Sequence, residues 1–251
     1  MNDIADIVNK LKQSRRLLFV TGAGMSVDSG IPTYRGIGGL YNNNELIEGM
    51  TIEEIMSGHV MRTNPELVWK CLASNSSFFK DASPNRGHEI IAEMEKNFEI
   101  CVYTQNVDGF HSLAGSTNVI DVHGNTRVLC CMNCDQRDSL NNITQLKIPP
   151  LCTKCGKIMR PNVVLFGEML CPTKMTALSK EMLKGFDMVI IIGTSGRFPY
   201  IVSPVFQLYK HGSFVIEINP ETTEISDLAN IHLVSGASQS LETIWSMYLK
   251  Q

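Results

Sequence analysis

Short apolar runs alternate with amphipathic stretches along most of the chain. Apolar residues recur every three or four positions near the start, which predicts a helix with one face formed by Ile4, Ile7, Val8 and Leu11. Apolar runs of strand length then occupy residues 17–20, 99–104, 119–122, 188–192 and 214–218. Helical patterns separate several of these runs, and a last helix is predicted over residues 238–249. This alternation predicts an α/β fold built on a Rossmann-like, doubly wound parallel sheet.

Two regions interrupt the alternation. Residues 36–84 are polar and mostly helical in pattern, and residues 130–160 are rich in cysteine. We predict that both belong to a smaller lobe, a helical module and a metal ribbon, inserted in the sheet domain. The predicted boundaries assign residues 1–35, 85–127 and 161–251 to the larger domain, and residues 36–84 and 128–160 to the lobe.

Composition narrows the class of protein. With 251 residues, 43% of them hydrophobic, the chain suits one large domain with an inserted lobe. The net charge of −3 gives no overall cationic field, so neither nucleic acid nor an anionic membrane is supported as a partner. The first residues lack the pattern of a secretory signal, and no apolar stretch reaches the roughly 20 residues that span a bilayer. We therefore expect a cytoplasmic protein, whose eight cysteines are free thiols or metal ligands.

The glycine-rich stretch 21–35, TGAGMSVDSGIPTYR, directly follows the first predicted strand. Gly22, Ala23 and Gly24 allow backbone N–H groups to approach a pyrophosphate, because they carry no bulky side chains. The dehydrogenase fingerprint has a third glycine three residues after the second, whereas the next one here is Gly30. The stretch therefore predicts a nucleotide site of another kind, with a plain tight turn as the alternative.

Polar residues follow two further predicted strands. Gln105, Asn106 and Asp108 come after one strand, and His123 comes after the next. The carboxyl ends of parallel strands line the ligand crevice of an open α/β sheet, so these side chains should converge beside the glycine-rich stretch. That arrangement predicts a titratable imidazole beside a nucleotide. His88 and His111 follow no strand end, and we expect structural roles for them.

Four cysteines have the spacing of a metal site. Two C-x2-C pairs, separated by 17 residues, predict a structural zinc bound tetrahedrally by Cys131, Cys134, Cys152 and Cys155. Cys130 adjoins one pair, but its spacing is less usual for a ligand. The isolated cysteines are expected to be small apolar fillers, namely Cys71, Cys101 and Cys171.

Several motifs in one order make the chain resemble the sirtuin family of zinc-containing, NAD-dependent protein-lysine deacylases. They are GAGMSVDSGIPTYR, TQNVDGFH, HGN, the two C-x2-C pairs, RPNVVLFGE (160–168), GTS (193–195) and INPE (218–221). The resemblance covers nearly the whole chain. It implies that the nucleotide is NAD and that acyl groups leave protein lysines, giving nicotinamide and O-acyl-ADP-ribose.

The resemblance also implies a role for each matching residue. His123 would be the general base, and Asn106 would share the catalytic site. The residues expected to bind NAD are Gly22, Ala23, Gly24, Ser26, Ile31, Pro32, Tyr34, Arg35, Gln105, Asn106, Asp108, Gly193, Thr194, Ser195, Asn219, Pro220 and Ala237. The acyl-lysine peptide would lie against Val164, Phe166, Gly167 and Glu168.

Departures from the family bear on the substrate. Members that remove succinyl or malonyl groups carry a Tyr and an Arg three residues apart, where Leu72 and Asn75 stand here. An acidic acyl group would lack a partner, so we expect neutral ones, acetyl or longer. The segment GRFPYIVSP after Ser195 and the tyrosine at position 34 also differ from the usual residues. We expect the first of these to affect peptide preference.

Two other functions stay open at the level of sequence. The same pocket could serve a related NAD-consuming activity, either ADP-ribosyl transfer or NAD hydrolysis. The chain could instead be a non-enzymatic zinc-ribbon module, since six Lys or Arg stand against two Asp between Arg127 and Arg160. No aromatic residues are interleaved with these charges, and Asn106, Asp108 and His123 are present, so the second alternative is disfavoured.

Overall fold

A six-stranded parallel sheet forms the centre of the computed structural model, which describes residues 2–33, 46–74, 82–140 and 146–250. The strand order is β3-β2-β1-β7-β8-β9, and every neighbouring pair is parallel. The six strands are β1 (Arg16–Thr21), β2 (Glu99–Thr104), β3 (Val119–Asp121), β7 (Met188–Ile192), β8 (Phe214–Ile218) and β9 (Ile231–Leu233). The predicted α/β fold is confirmed.

Helices cover both faces of this sheet. One face packs against α1 (Asn2–Lys12), α5 (Arg86–Met94) and α9 (Ala237–Leu249), and the other packs against α7 (Pro172–Leu183) and α8 (Pro199–Lys210). Successive side chains of a strand point to opposite faces, so Leu17 and Phe19 belong to one core while Leu18 and Val20 belong to the other. This two-sided burial explains why the central strands are continuous apolar runs.

A second, antiparallel sheet forms the smaller lobe. Its strand order is β5-β4-β6, with bounds of Gly124–Cys131 for β4, Arg137–Ser139 for β5 and Met159–Val163 for β6. Three short helices pack against this sheet: α2 (Ile52–Ile55), α3 (Gly58–Thr63) and α4 (Pro65–Ser74).

One apolar core joins the helical segment to the cysteine-rich segment. It contains Ile55, Met61 and Trp69 from the helices and Leu129 and Met159 from the sheet. The indole of Trp69 also donates a hydrogen bond of 3.0 Å to the backbone carbonyl of Met159. Two segments far apart in sequence therefore pack as one lobe, while the residue boundaries between lobe and sheet domain stay a prediction.

The expected elements match the observed ones where burial is strongest. The five predicted strands correspond to β1, β2, β3, β7 and β8, and the last helix begins one residue before its predicted start. The edge strand β9 was not predicted, because its three residues are only half-buried. Among the described residues, no helix combines the length and the apolar composition needed to cross a membrane.

Candidate active site

The glycine-rich stretch lies where the strand order of the sheet reverses. After β1 the chain turns into a 3₁₀ helix, Ala23–Ser29, beside the turn that follows β7. The amide of Gly24 donates to the carbonyl of Gly193 at 2.9 Å, and a Cβ on Gly24 would lie 2.6 Å from the Cα of Gly193. Only glycines permit this approach of two backbones. The stretch therefore opens the crevice at the switch point of the sheet, the usual ligand position in such folds.

A pocket lies directly against this turn. Its walls combine apolar and polar side chains, as expected for a small-molecule site. The lining residues are Ala23, Ser26, Ile31, Pro32, Asn106, Val107 and Asp108. The structure thus brings together six residues that the sequence singled out for NAD binding.

Buried hydrogen bonds hold the polar wall of the pocket. The Ser26 hydroxyl donates to Asp108 Oδ2 at 2.7 Å, and the Phe110 amide donates to Asp108 Oδ1 at 2.9 Å. The Asn106 side chain donates to the carbonyl of Gly22 at 3.0 Å and lies 3.2 Å from the Ser26 hydroxyl. An ionised carboxylate has about four acceptor positions, so Asp108 keeps capacity for a donor on a ligand. Burial raises the pKa of Asp108, opposed by these hydrogen bonds and the positive charge of Arg127.

His123 lies between β3 and β4, and its imidazole contacts the segment that follows β2. Its Nδ1 is 2.9 Å from the carbonyl oxygen of Gln105, and Asn106, the next residue, lines the pocket. A carbonyl only accepts, so Nδ1 carries the proton and Nε2 has the free lone pair. Burial lowers the pKa of His123; the bond to Gln105 opposes this, and the charge of Lys174 adds to it. The imidazole is therefore neutral at pH 7 and can accept a proton at Nε2.

Side-chain bonds connect the ends of β2, β7 and β8. The Gln105 amide donates to the Thr194 hydroxyl at 2.6 Å, and the Asn219 amide donates to the Thr194 carbonyl at 3.1 Å. These residues therefore lie along the carboxyl edge of the sheet. The side chain of Ala237 instead packs in the core under α9. Three residues considered from the sequence lie outside the described residues: Tyr34, Arg35 and Asn75.

The expected peptide-binding segment follows β6 and borders His123. The Val164 amide donates to the His123 carbonyl at 2.8 Å, while Phe166 exchanges backbone bonds with the connection between α2 and α3. The Glu168 carboxylate forms a two-point ion pair with Arg160 at 2.6 and 2.8 Å and accepts from the Leu165 amide at 3.0 Å. Glu168 therefore holds this segment in shape through its own side chain.

The four predicted metal ligands lie together at the tip of the smaller sheet. Their sulfur atoms all lie within 4.8 Å of one another, with 3.4 Å between Cys131 and Cys155 and 3.7 Å between Cys134 and Cys152. A tetrahedral zinc with bonds of about 2.3 Å sets its sulfur ligands about 3.8 Å apart. Four thiolates without an open position form a structural zinc site, and Cys130 is not one of the group.

Two residues of the site were missed from the sequence alone. Tyr200 places its hydroxyl 2.8 Å from His123 Nε2, and Arg127 donates to the Asp108 carbonyl at 2.9 Å. Tyr200 belongs to the unusual segment after Ser195, which was the available signal. Nothing in the residue pattern connects either side chain with its partner.

Comparisons with known proteins agree on one family. The Sir2 family model matches residues 22–199. NAD-dependent protein deacylase 2 of Pseudomonas aeruginosa is 43% identical over 238 residues, which is 93% of each chain. A deacylase of Caldanaerobacter subterraneus subsp. tengcongensis is 41% identical over 236 residues, covering 94% of this chain and 95% of that one.

Solved structures of the same family have the same fold. A Sir2 homologue in complex with NAD superposes with a TM-score of 0.86 at 35% identity, covering 98% of this chain and 94% of that one. A mutant Sir2 homologue in complex with ADP-ribose gives a TM-score of 0.88 at 34% identity, covering 98% and 96%.

Proposed function

The chain belongs to the Sir2 family, as the family match and the relatives at 41–43% identity show. We propose that it removes neutral acyl groups from protein lysines with His123 as general base. The enzyme is an NAD-dependent protein deacylase. One observation carries the role of His123: Gln105 binds the imidazole, and the adjacent Asn106 lines the pocket at the glycine-rich turn. His123 and the nucleotide pocket are therefore both in contact with the segment that follows β2.

The pocket residues suit NAD, which supplies the nicotinamide–ribose bond that breaks and the ADP-ribose that takes the acyl group. The backbone at Ala23 and Gly24, with Ser26, would hold the phosphates. The Asp108 carboxylate and the Asn106 amide would orient polar groups of the nicotinamide end. Ile31 and Pro32 would keep water away from the reacting carbon, because premature hydrolysis is the competing reaction.

The geometry around His123 supports proton transfer at one stated atom. Nδ1–H is bonded to the Gln105 carbonyl, so Nε2 takes the proton and the carbonyl stabilises the imidazolium that results. A base with a pKa below its ordinary value is neutral at pH 7, and so it is ready to accept a proton.

The expected acyl group is neutral. Leu72 packs against the apolar core of the lobe. Asparagine stands at position 75, where members that remove acidic acyl groups carry the arginine. Burying an unpaired carboxylate there would be costly. The peptide would lie along residues 164–168, and the cluster of four cysteines fits a reducing compartment such as the cytoplasm.

A single assay tests this function. The protein is incubated with NAD and lysine peptides carrying acetyl, butyryl, myristoyl or succinyl groups, and nicotinamide and free peptide are followed together. We expect neutral acyl groups to be removed in equal amounts with nicotinamide release. His123→Ala should lower deacylation by about 10²-fold or more with an unchanged circular dichroism spectrum.

Three results would contradict the proposal. Succinyl removal as the best reaction would exclude the neutral acyl preference. Nicotinamide release without peptide would favour NAD hydrolysis or ADP-ribosyl transfer. Full activity of the His123→Ala variant would remove the imidazole from the mechanism.

A further inference from the structure

The hydroxyl of Tyr200 lies on the nitrogen that His123 needs for catalysis. Tyr200 is the second residue of α8, and its hydroxyl oxygen is 2.8 Å from His123 Nε2. The two rings meet edge to face, with centroids 5.8 Å apart. The imidazole is therefore held at both nitrogens, by Gln105 on one side and Tyr200 on the other.

The direction of this bond follows from the chemistry of its neighbours. Since Nδ1 carries the proton for the Gln105 carbonyl, Nε2 has one lone pair and Tyr200 must donate to it. Burial raises the pKa of Tyr200 to about 12, so the phenol keeps its proton at neutral pH. The charge near this pair is Lys174, whose ammonium is bonded to Asp121 at 2.6 Å. Neither of these two groups is bonded to Nε2.

Tyr200 is fixed in place by its own packing. The Tyr103 hydroxyl donates to its backbone carbonyl at 3.1 Å. Its ring stacks on Phe198, with centroids 5.2 Å apart and planes 14° from parallel. Pro199, between the two aromatic residues, begins the helix with a fixed φ. Moving the hydroxyl away from His123 would therefore break the aromatic stack.

We propose that Tyr200 orients His123 and is itself a catalytic residue, because protons reach Nε2 through its hydroxyl. The single lone pair of His123 Nε2 cannot accept at the same time from Tyr200 and from the substrate hydroxyl that His123 is proposed to deprotonate. In the step we infer, the phenolic proton moves to Nε2 while the phenolic oxygen receives the proton of the substrate hydroxyl. The phenol is unchanged, the imidazole becomes imidazolium, and the substrate oxygen becomes nucleophilic. This inference rests on the proposed role of His123.

The first test uses the ligand-free protein. The Tyr200→Phe variant keeps the ring and its stacking but loses the hydroxyl, and Tyr209→Phe is the matched control at the exposed end of the same helix. Nitrogen NMR of the histidine side chains should show a changed Nε2 resonance of His123 in Tyr200→Phe and none in Tyr209→Phe. An identical Nε2 resonance in wild type and Tyr200→Phe would overturn the proposal.

The second test separates two chemical steps. In the proposed function nicotinamide leaves before His123 takes up a proton, so Tyr200→Phe should keep nicotinamide exchange within about twofold while deacylation falls about tenfold or more. The KM values for NAD and peptide should be unchanged. Tyr103→Phe, which loosens the Tyr200 backbone, should show a smaller loss in the same step.

The outcomes are distinguishable from failure of the proposed function. Absence of deacylation by the wild-type enzyme would refute that function itself. Deacylation by Tyr200→Phe at the wild-type rate or faster, or an equal loss of nicotinamide exchange, would refute the role of Tyr200 alone. Thermal unfolding of all three variants confirms that folded proteins are compared.

Discussion

Single glycines set the distance between the two halves of the sheet at the crevice. Gly193 has a φ of 58°, and a Cβ there would lie 2.5 Å from the backbone of Gly24. We expect Gly193→Ala to lower the unfolding free energy by about 1–3 kcal/mol and to weaken NAD binding about tenfold or more, because the displaced turn no longer presents its amides. Urea unfolding and calorimetric NAD titration measure the two effects.

A second glycine provides the control for this substitution. Gly185 has a φ of 73° but no atom within 4 Å of its added Cβ. Gly185→Ala therefore carries the backbone strain without the collision, and it should retain NAD affinity. Equal NAD affinity in the two variants would contradict the role of the close backbone approach.

Among single residues, the sequence predicted those site residues that come soon after the end of a strand. Asn106, Asp108 and His123 each come within four residues of the end of β2 or β3, so the topology of the sheet brings them to the crevice. Tyr200 could not be assigned in this way, because its contact with His123 depends on how α8 packs. The two-point pair of Glu168 with Arg160 was hidden for the same reason: a sequence motif does not show where a side chain turns.

The zinc ribbon contributes Leu129, Cys152 and Met159 to the apolar core of the smaller lobe. We expect Cys155→Ser to lose the single bound zinc and to lower deacylation strongly, because the ribbon supports β6 and the peptide segment that follows it. Native mass spectrometry counts the zinc, and peptide turnover reports the function. The circular dichroism spectrum should still show the folded parallel sheet, because the apolar cores on its two faces contain none of the four zinc ligands.

The neighbouring thiol gives the matched control. Cys130 adjoins a ligand but is not a member of the cluster. Cys130→Ser should therefore keep one zinc and near wild-type turnover. Zinc retained by Cys155→Ser, or lost by Cys130→Ser, would show that the ligand set is wrong.

An ion pair joins the proposed peptide segment, residues 164–168, to the ribbon. Both side chains of the Arg160–Glu168 pair are about four-fifths buried, with 17% and 20% exposed. We expect Arg160→Ala to lower the unfolding free energy by about 2 kcal/mol and to raise the KM for peptide, with the KM for NAD unchanged. Urea unfolding and steady-state kinetics provide the measurements.

An exposed ion pair in the same lobe serves for comparison. The side chains of Lys154 and Asp135 are 57% and 83% exposed, so Lys154→Ala should change stability by less than about 1 kcal/mol. If both variants lost the same stability, or if Arg160→Ala left the peptide KM unaltered, the ion pair would not hold the segment.

The predictability of each element follows from its burial. Strands β1, β7 and β8 are covered on both faces and therefore appear as continuous apolar runs. The strands of the smaller sheet are only partly buried, and a register irregularity interrupts the pairing of β4 with β6. Hydrophobic periodicity gave no signal there, and the cysteine spacing alone indicated an ordered unit.

For the whole molecule, the order of the motifs along the chain indicated the family and its activity. Spacing within one segment cannot show which distant segments meet, and the joint core of the helical and cysteine-rich segments is such a contact. The pairing of His88 with His111 is another. They come from different helices, α5 and α6 (Phe110–Leu113), and their ring centroids are 4.8 Å apart.

This histidine pair should make the stability of the whole protein sensitive to acid. Burial lowers the pKa of His88 to about 4, opposed by the charge of Asp28, and lowers that of His111 well below its ordinary value, helped by the charge of His88. Within the described residues, one ring nitrogen of each histidine has no hydrogen-bond partner. Both rings are thus held neutral inside the fold.

The sign of the effect follows from proton binding. Below the unfolded pKa of about 6.5 the unfolded chain binds protons that the folded protein refuses, so stability is complete above that pH and falls as the pH drops. For His88 the loss levels off near pH 4 and amounts to about 3 kcal/mol. Urea unfolding of wild type between pH 7.5 and 5 should show this slope, and His88→Gln should make it shallower while the contribution of His111 remains. The exposed His211 supplies the control: His211→Gln should keep the wild-type slope, and parallel slopes in all three proteins would mean that the buried pair is not the source of acid sensitivity.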